Sequence, residues 1–203
     1  AALVRDEVLL AQANVQEVPL PLQDFQTTSS HAITIASAGN VYMEGETDST
    51  SFATTASAYV SLDDTVAVDN AGNVYLASSN DDGNFSTTAG AYDRTWNGGY
   101  DVTVEKVNSN GEIIWSTYLG GAVDDWASAI ALDSDNNVYV SGQTGSLRDF
   151  PIVEAIQPTF GGGERDAFVT KLKSDGSEVL YSTFFGGNGD DYSRGLALDS
   201  GNN

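Results

Sequence analysis

The words NVYMEG at 40–45, NVYLAS at 73–78 and NVYVSG at 137–142 are variants of one phrase, and each follows an alternating apolar run. With their preceding runs they read ITIASAGNVYMEG at 33–45, VAVDNAGNVYLAS at 66–78 and IALDSDNNVYVSG at 130–142, with LALDSGNN opening a further copy at 196–203. Between them lies a second repeated pair, DVTVEKVNSNGEIIWSTYLGG at 101–121 and DAFVTKLKSDGSEVLYSTFFGG at 166–187. Asp69, Asp133 and Asp199 mark the period, 64 and then 66 residues. A chain built this way folds as stacked units, because one unit cannot bury its own apolar face.

Each full unit predicts four antiparallel strands. The first is SAIALD, with Ile130 and Leu132 on one face and Ala129 and Ala131 on the other. NVYVSG is the second, and DAFVTKL and EVLYSTFF form a hairpin across the turn KSDG, whose Asp and Gly suit a tight reversal. Small residues alternating with branched ones describe a sheet covered on both faces and crowded at one edge. That is the innermost strand of a propeller blade. The expected class is all-β, built of β-propeller-like four-stranded units of about 65 residues. Helical periodicity occurs only in RDEVLLAQA at 5–13, which reads equally as an edge strand or a tail.

The pattern D-x-x-G-N-x-Y-V-x-G, then F-P, then D-A-F-V-x-K-L, then Y-S-T-x-x-G-G-x-x-x-D resembles the bacterial β-propeller repeat family called SBBP. Asp133–Gly142, Phe150-Pro151, Asp166–Leu172 and Tyr181–Gly187 carry the likeness. It covers 31–203 and leaves out 1–30. What the resemblance implies is an extracellular or cell-surface propeller architecture, often inside large multidomain proteins. It hands over no catalytic residues.

The units divide the chain into an N-terminal extension at 1–30, a half unit at 31–63, full units at 64–125 and 126–191, and the start of another at 192–203. FATTASAY at 52–59 mirrors FSTTAGAY at 85–92, but no third and fourth strands follow it. This count closes no ring, which leaves exposed strand edges and an apolar face. Completion is expected from the N-terminal segment, from a second subunit by strand addition, or from sequence of a longer parent. VRDEVLL at 4–10 is the expected donor; Pro19 and Pro21 make 15–22 a linker or edge, since neither can donate a backbone hydrogen bond.

Composition narrows the partners. Eight basic against twenty-nine acidic side chains leave a net charge of −21, which repels nucleic acid and anionic membranes and suits a solvated exterior, a salty environment or cation binding. No cysteine is present for disulfides, thiol catalysis or thiolate-bound zinc. No apolar run of about 18 residues marks a membrane span. His31 is the only histidine and has no nucleophile or orienting acid repeated around it, so no enzyme is expected and no catalytic residue is assigned.

The long connections 79–100 and 143–165 bring aromatic residues to one end of the strands. Trp96, Tyr100, Tyr92, Phe160 and Trp126 beside Asp124 and Asp125 form the candidate glycan contact, with Trp96 foremost because it has no counterpart in the next unit, whereas Phe85, Tyr92 and Phe150 recur at repeat positions and read as loop anchors. Asp133, Asp135 and Asn137 are spaced like the start of an oxygen-ligand calcium loop, but Asx side chains bonding their own turn explain the same spacing without metal. The doubled acids Asp124–Asp125 and Asp190–Asp191 make a second cation candidate near the expected propeller axis. The expected function is a non-enzymatic extracellular module for assembly or adhesion, self-assembling or part of a surface protein. The alternative is a glycan- or calcium-dependent binding module.

Overall fold

The computed structural model describes residues 65–199 and Gly201 in full, together with the backbone pairing of three earlier strands. Those are β1 (Ala13–Asn14), β2 (Thr28–Ile35) and β3 (Asn40–Thr47), joined in the order β1-β3-β2. Two four-stranded antiparallel sheets follow. β4 (Thr65–Val68), β5 (Val74–Asn80), β6 (Asp101–Val107) and β7 (Ile113–Leu119) lie side by side in chain order. So do β8 (Asp125–Leu132), β9 (Val138–Thr144), β10 (Asp166–Leu172) and β11 (Val179–Phe185). The protein is all-β, and each sheet is an up-and-down meander of the propeller-blade kind. Among the described residues there is neither a helix nor a closed barrel.

Local chemistry sets the turns. Asp69 accepts hydrogen bonds from the amides of Ala71 and Asn73, both at 2.9 Å, and from the Asn73 side chain at 2.7 Å. Asp133 repeats the arrangement with Asp135, Asn137 and the Asn137 side chain. The fourth turn position needs a left-handed backbone, filled by Gly72 at φ 81° and by Asn136 at φ 60°. Glycine and asparagine are the residues that enter this region at little cost.

The two blades stack through opposite faces. Side chains alternate along a strand, so Ala67, Tyr75, Ala77, Val102, Val104, Trp115 and Leu119 share one face of the first sheet. They form a single buried cluster with Ile130, Val138, Val140, Phe168, Leu172, Val179 and Phe184 of the second. Trp115 meets Tyr75 edge-on at 6.2 Å and donates its indole N–H to the Ser174 carbonyl of the next blade, at 3.0 Å. β8 lies against β4 and β5, and the Ala127 amide reaches Ser79 Oγ at 3.2 Å.

The long connections run differently from the sequence expectation. Residues 81–100 (L1) pass along the outer edge of β7. There the Thr88 amide bonds the Ser116 carbonyl at 3.2 Å and the Tyr118 amide bonds the Asp93 carbonyl at 3.0 Å. Residues 145–165 (L2) do the same for β11, where Val153 and Ser182 exchange amide bonds and the Phe184 amide reaches the Gln157 carbonyl. Each loop thus covers the strand edge that an open blade would expose. Phe85 packs on Tyr118 at 5.5 Å and Phe150 on Phe168 at 4.6 Å, as loop anchors should.

Two strand expectations change. Residues 194–199, read as the first strand of a further unit, carry no ladder pairing. A strand is held by its neighbour, and among the described residues no second strand lies beside this one. Just before it, Ser193 Oγ meets Ser141 Oγ of β9 at 2.8 Å. At the N-terminal side, Ala13 and Asn14 pair with Val41 and Asn40 of the same chain, giving the half unit a third strand. The donor segment 4–10 and most of the 5–13 stretch lie outside the described residues.

Candidate functional site

The end of the blades that receives β5 and begins β6, β8 and β10 gathers most of the residues singled out by sequence. Tyr100 stacks on Trp126 with centroids 5.7 Å apart and planes at 28°, and the Arg165 guanidinium sits 4.3 Å from the same indole. Such a cation over an aromatic face is attracted by the ring quadrupole. Trp96 stands 40% exposed on L1, its indole N–H held by the Gly99 carbonyl at 2.9 Å, and Tyr100 is 37% exposed. Gly83 lies under the Trp96 ring, where an added Cβ would come within 3.0 Å. Asp124 accepts the Tyr100 amide at 3.1 Å. Trp96, Tyr100, Trp126 and Asp124 therefore share one surface.

Asp125 does not join them. It is fully buried, with Oδ2 accepting the Gly121 amide at 2.7 Å and the Ser146 hydroxyl at 3.0 Å, while Oδ1 has no partner. Asp101, which sequence reasoning passed over, is its buried neighbour: Oδ2 takes the Asn97 amide at 2.8 Å and Oδ1 is again unpartnered. Desolvation pushes Asp125 up to about 7 against the pull of its hydrogen bonds. Asp101 rises to about 6, chiefly by desolvation, with Asp93 and Asp149 adding repulsion. The available sequence signal was the acid that opens both DVTVEK and DAFVTK, at the mouth of the third strand of each unit.

Asp133, Asp135 and Asn137 lie at the opposite end. Both Asp133 oxygens are occupied by the turn, and Lys171 Nζ adds an ion pair at 2.9 Å. Desolvation raises this carboxyl, but the bonds from Lys171, Asn137 and Asp135 outweigh it and hold it below the usual range. Asn137 Oδ1 accepts the Ser174 amide at 3.1 Å, and Asp135 is exposed. Asp133 and Asn137 thus cap a turn and tie it to its neighbour. Asp190 accepts the Glu164 amide and Asp191 the Gly187 amide. Among the described residues no three acidic or histidine side chains are grouped to hold a metal. Among them, too, no helix is long and apolar enough to cross a membrane. His31 falls in β2, outside the residues described in full.

Residues 114–151 match the SBBP family, described as a Beta-propeller repeat. The match runs from β7 through β8 and β9 into L2, so it spans the seam between the two blades. No curated protein matches the chain.

Proposed function

We propose, taking that propeller repeat as the premise, that the chain is a non-enzymatic structural module of an extracellular or cell-surface protein and associates with its own kind through the faces of its blades. One observation carries the reading. Leu119 is buried to 0% exposure beneath the second blade, while Phe185, at the same position of the second blade, is 73% exposed. Around Phe185 lies a cavity of about 350 Å³ lined by Gln157, Ala167, Gly186, Gly187, Asp191 and Tyr192. The cover that fits this face is the one the molecule already uses, another blade presenting its opposite face. Burying a phenylalanine stabilises by roughly 1.5–3 kcal/mol, enough to favour association when neighbouring positions are covered with it.

Light scattering and sedimentation test the reading. Multimers should form as concentration rises, strengthen with salt that screens the −21 charge, and disappear in Phe185→Asp. A wild-type chain that stays monomeric up to its solubility limit in high salt overturns it.

A second reading rests on Trp96 and Tyr100 of L1 beside Asp124 of the turn between β7 and β8, exposed aromatic faces next to a carboxylate on one surface. This is the chemistry of a glycan contact. A glycan array with and without calcium, repeated with Trp96→Ala, tests it. Saturable binding lost in the variant supports it, and a flat array ends it.

A further inference from the structure

Three asparagines of the chain stand directly before a glycine: Asn97, Asn110 and Asn188. An Asn-Gly pair has a chemistry of its own. The glycine amide nitrogen attacks the carbonyl carbon of the asparagine side chain, closes a five-membered succinimide ring and expels ammonia. Water then opens either ring carbonyl, leaving aspartate or isoaspartate. Glycine permits the attack because it has no Cβ to crowd the nitrogen. The step needs two freedoms: a side chain able to swing over the main chain, and a glycine N–H not already engaged.

The fold withholds one or the other from two of the pairs. At Asn110 the nucleophile is occupied. The Gly111 amide donates to the Asn108 carbonyl at 3.0 Å and the Asn110 amide to Asn108 Oδ1 at 2.9 Å, which locks the pair into the turn between β6 and β7. At Asn97 the side chain is occupied. Its Nδ2 donates to Asp93 Oδ2 at 2.8 Å, and its amide donates to Asp101 Oδ2 at 2.8 Å. Gly98 also lies close to the β7–β8 turn, where an added Cβ would come 3.3 Å from the Ala122 carbonyl oxygen.

Asn188 and Gly189 carry neither restraint. Both are exposed. Among the described residues, neither the Asn188 side chain nor the Gly189 amide has a hydrogen-bond partner. The chain on either side is anchored: the Gly187 amide donates to Asp191 Oδ2 at 2.7 Å, the Asp191 amide to the Arg165 carbonyl at 2.8 Å, and the Glu164 amide to Asp190 Oδ1 at 2.6 Å. The loop is held at both ends, and the pair between the anchors is open to water.

We propose that Asn188-Gly189 is a site of self-modification, deamidating spontaneously in the folded protein ahead of Asn97 and Asn110. The bond from Gly189 N to Asn188 Cγ forms, the Cγ–Nδ2 bond breaks, and ammonia leaves with the glycine amide proton. Ring opening consumes one water, and no other reagent enters. The product carries one further negative charge. Its isoaspartyl form lengthens the main chain by one carbon between Gly187 and Asp191, two residues that line the hollow beside Phe185. The inference is independent of self-association.

Peptide mapping by mass spectrometry tests it, on the full chain held at pH 8 below its melting temperature and, in parallel, in denaturant. In the folded chain Asn188 should convert about tenfold faster than Asn97 or Asn110, the factor produced by about 1.4 kcal/mol of extra barrier at those two. In denaturant the three rates should draw level. Gly189→Ala should slow Asn188 about tenfold and leave the Tm unchanged. The added methyl crowds the attacking nitrogen, yet in the fold it meets nothing within 4 Å, and Gly189 is not among the left-handed glycines. Asn188→Gln should abolish the early acidic species on ion exchange, because its side chain closes only a slower six-membered ring. Asn97 or Asn110 reacting first in the folded chain, or three equal folded rates, overturns the proposal. So does an Asn188 that stays intact over the time in which the denatured chain reacts, or one that reacts as fast in Gly189→Ala.

Discussion

Tyr75 and Tyr139 occupy the same position in successive units, as do Trp115 and Tyr181, and Leu119 and Phe185. The first member of each pair is buried and the second is partly or largely exposed. Nothing in the two strand patterns distinguishes them; both alternate and both hold aromatic and branched residues. The difference is the presence of a covering blade. In a repeat architecture, burial belongs to the interface between neighbours, and stability is carried mostly by nearest-neighbour contacts. A second contrast runs between the two ends of the blades. Asp69 and Asp133 are buried where backbone amides and a lysine await them, and both carboxyls are lowered. Asp101 and Asp125 are buried against other acids, and both are raised.

The largest effect should come from Gly142→Ala. Its Cβ would collide with the Trp126 carbonyl and lie 2.8 Å from the Phe168 ring, whereas Ser78, the equivalent residue in the first blade, already carries a side chain. Loss of about 4 kcal/mol or more in denaturant unfolding is expected, with β8 detached from β9. A variant that unfolds like wild type would show that β8 can shift freely. Next, Leu119→Ala should cost about 3 kcal/mol as a cavity in the seam. Phe185→Ala, measured in dilute solution, should stay within about 0.5 kcal/mol. Equal losses at the two sites would erase the contrast between the faces.

Smaller changes probe the ends and edges. Asp133→Ala should cost about 2 kcal/mol at neutral pH, since the turn amides of Asp135 and Asn137 and the Lys171 ammonium lose their partner. Its folded carboxyl lies below the unfolded value near 4, so the Asp133 contribution is present above that pH and lost below it. The acid limb of the stability profile should accordingly flatten in the variant. Thr88→Val should be the mildest, about 1 kcal/mol, by removing the acceptor of the Ser116 amide at 3.0 Å. Faster hydrogen exchange at Ser116, with unchanged exchange at Ser182, is the readout that isolates the L1 edge cover from that of L2.

What the sequence contained was whatever depends on neighbours along the chain. Strand period, the meander order within a unit and the turns capped by Asp69 and Asp133 are local, and the repeat shows each of them twice or more. The reading of Phe85 and Phe150 as anchors succeeded for the same reason, since recurrence marks a role in the unit. Contacts between distant segments were not legible. No spacing rule sends L1 and L2 down the outer edges of β7 and β11, because hydrogen bonds 24 to 28 residues apart leave no periodic trace. Adjacent letters were also misleading: Asp124 and Asp125 read as one acidic pair, but alternation at the start of β8 turns one to the surface and the other into the seam. Packing alone brought both Asp101 and Asp125 against Gly120, and packing alone left Phe185 wet where Leu119 is dry. Covalent order can specify which side chains share a strand face; which face meets water is settled only when the next sheet arrives.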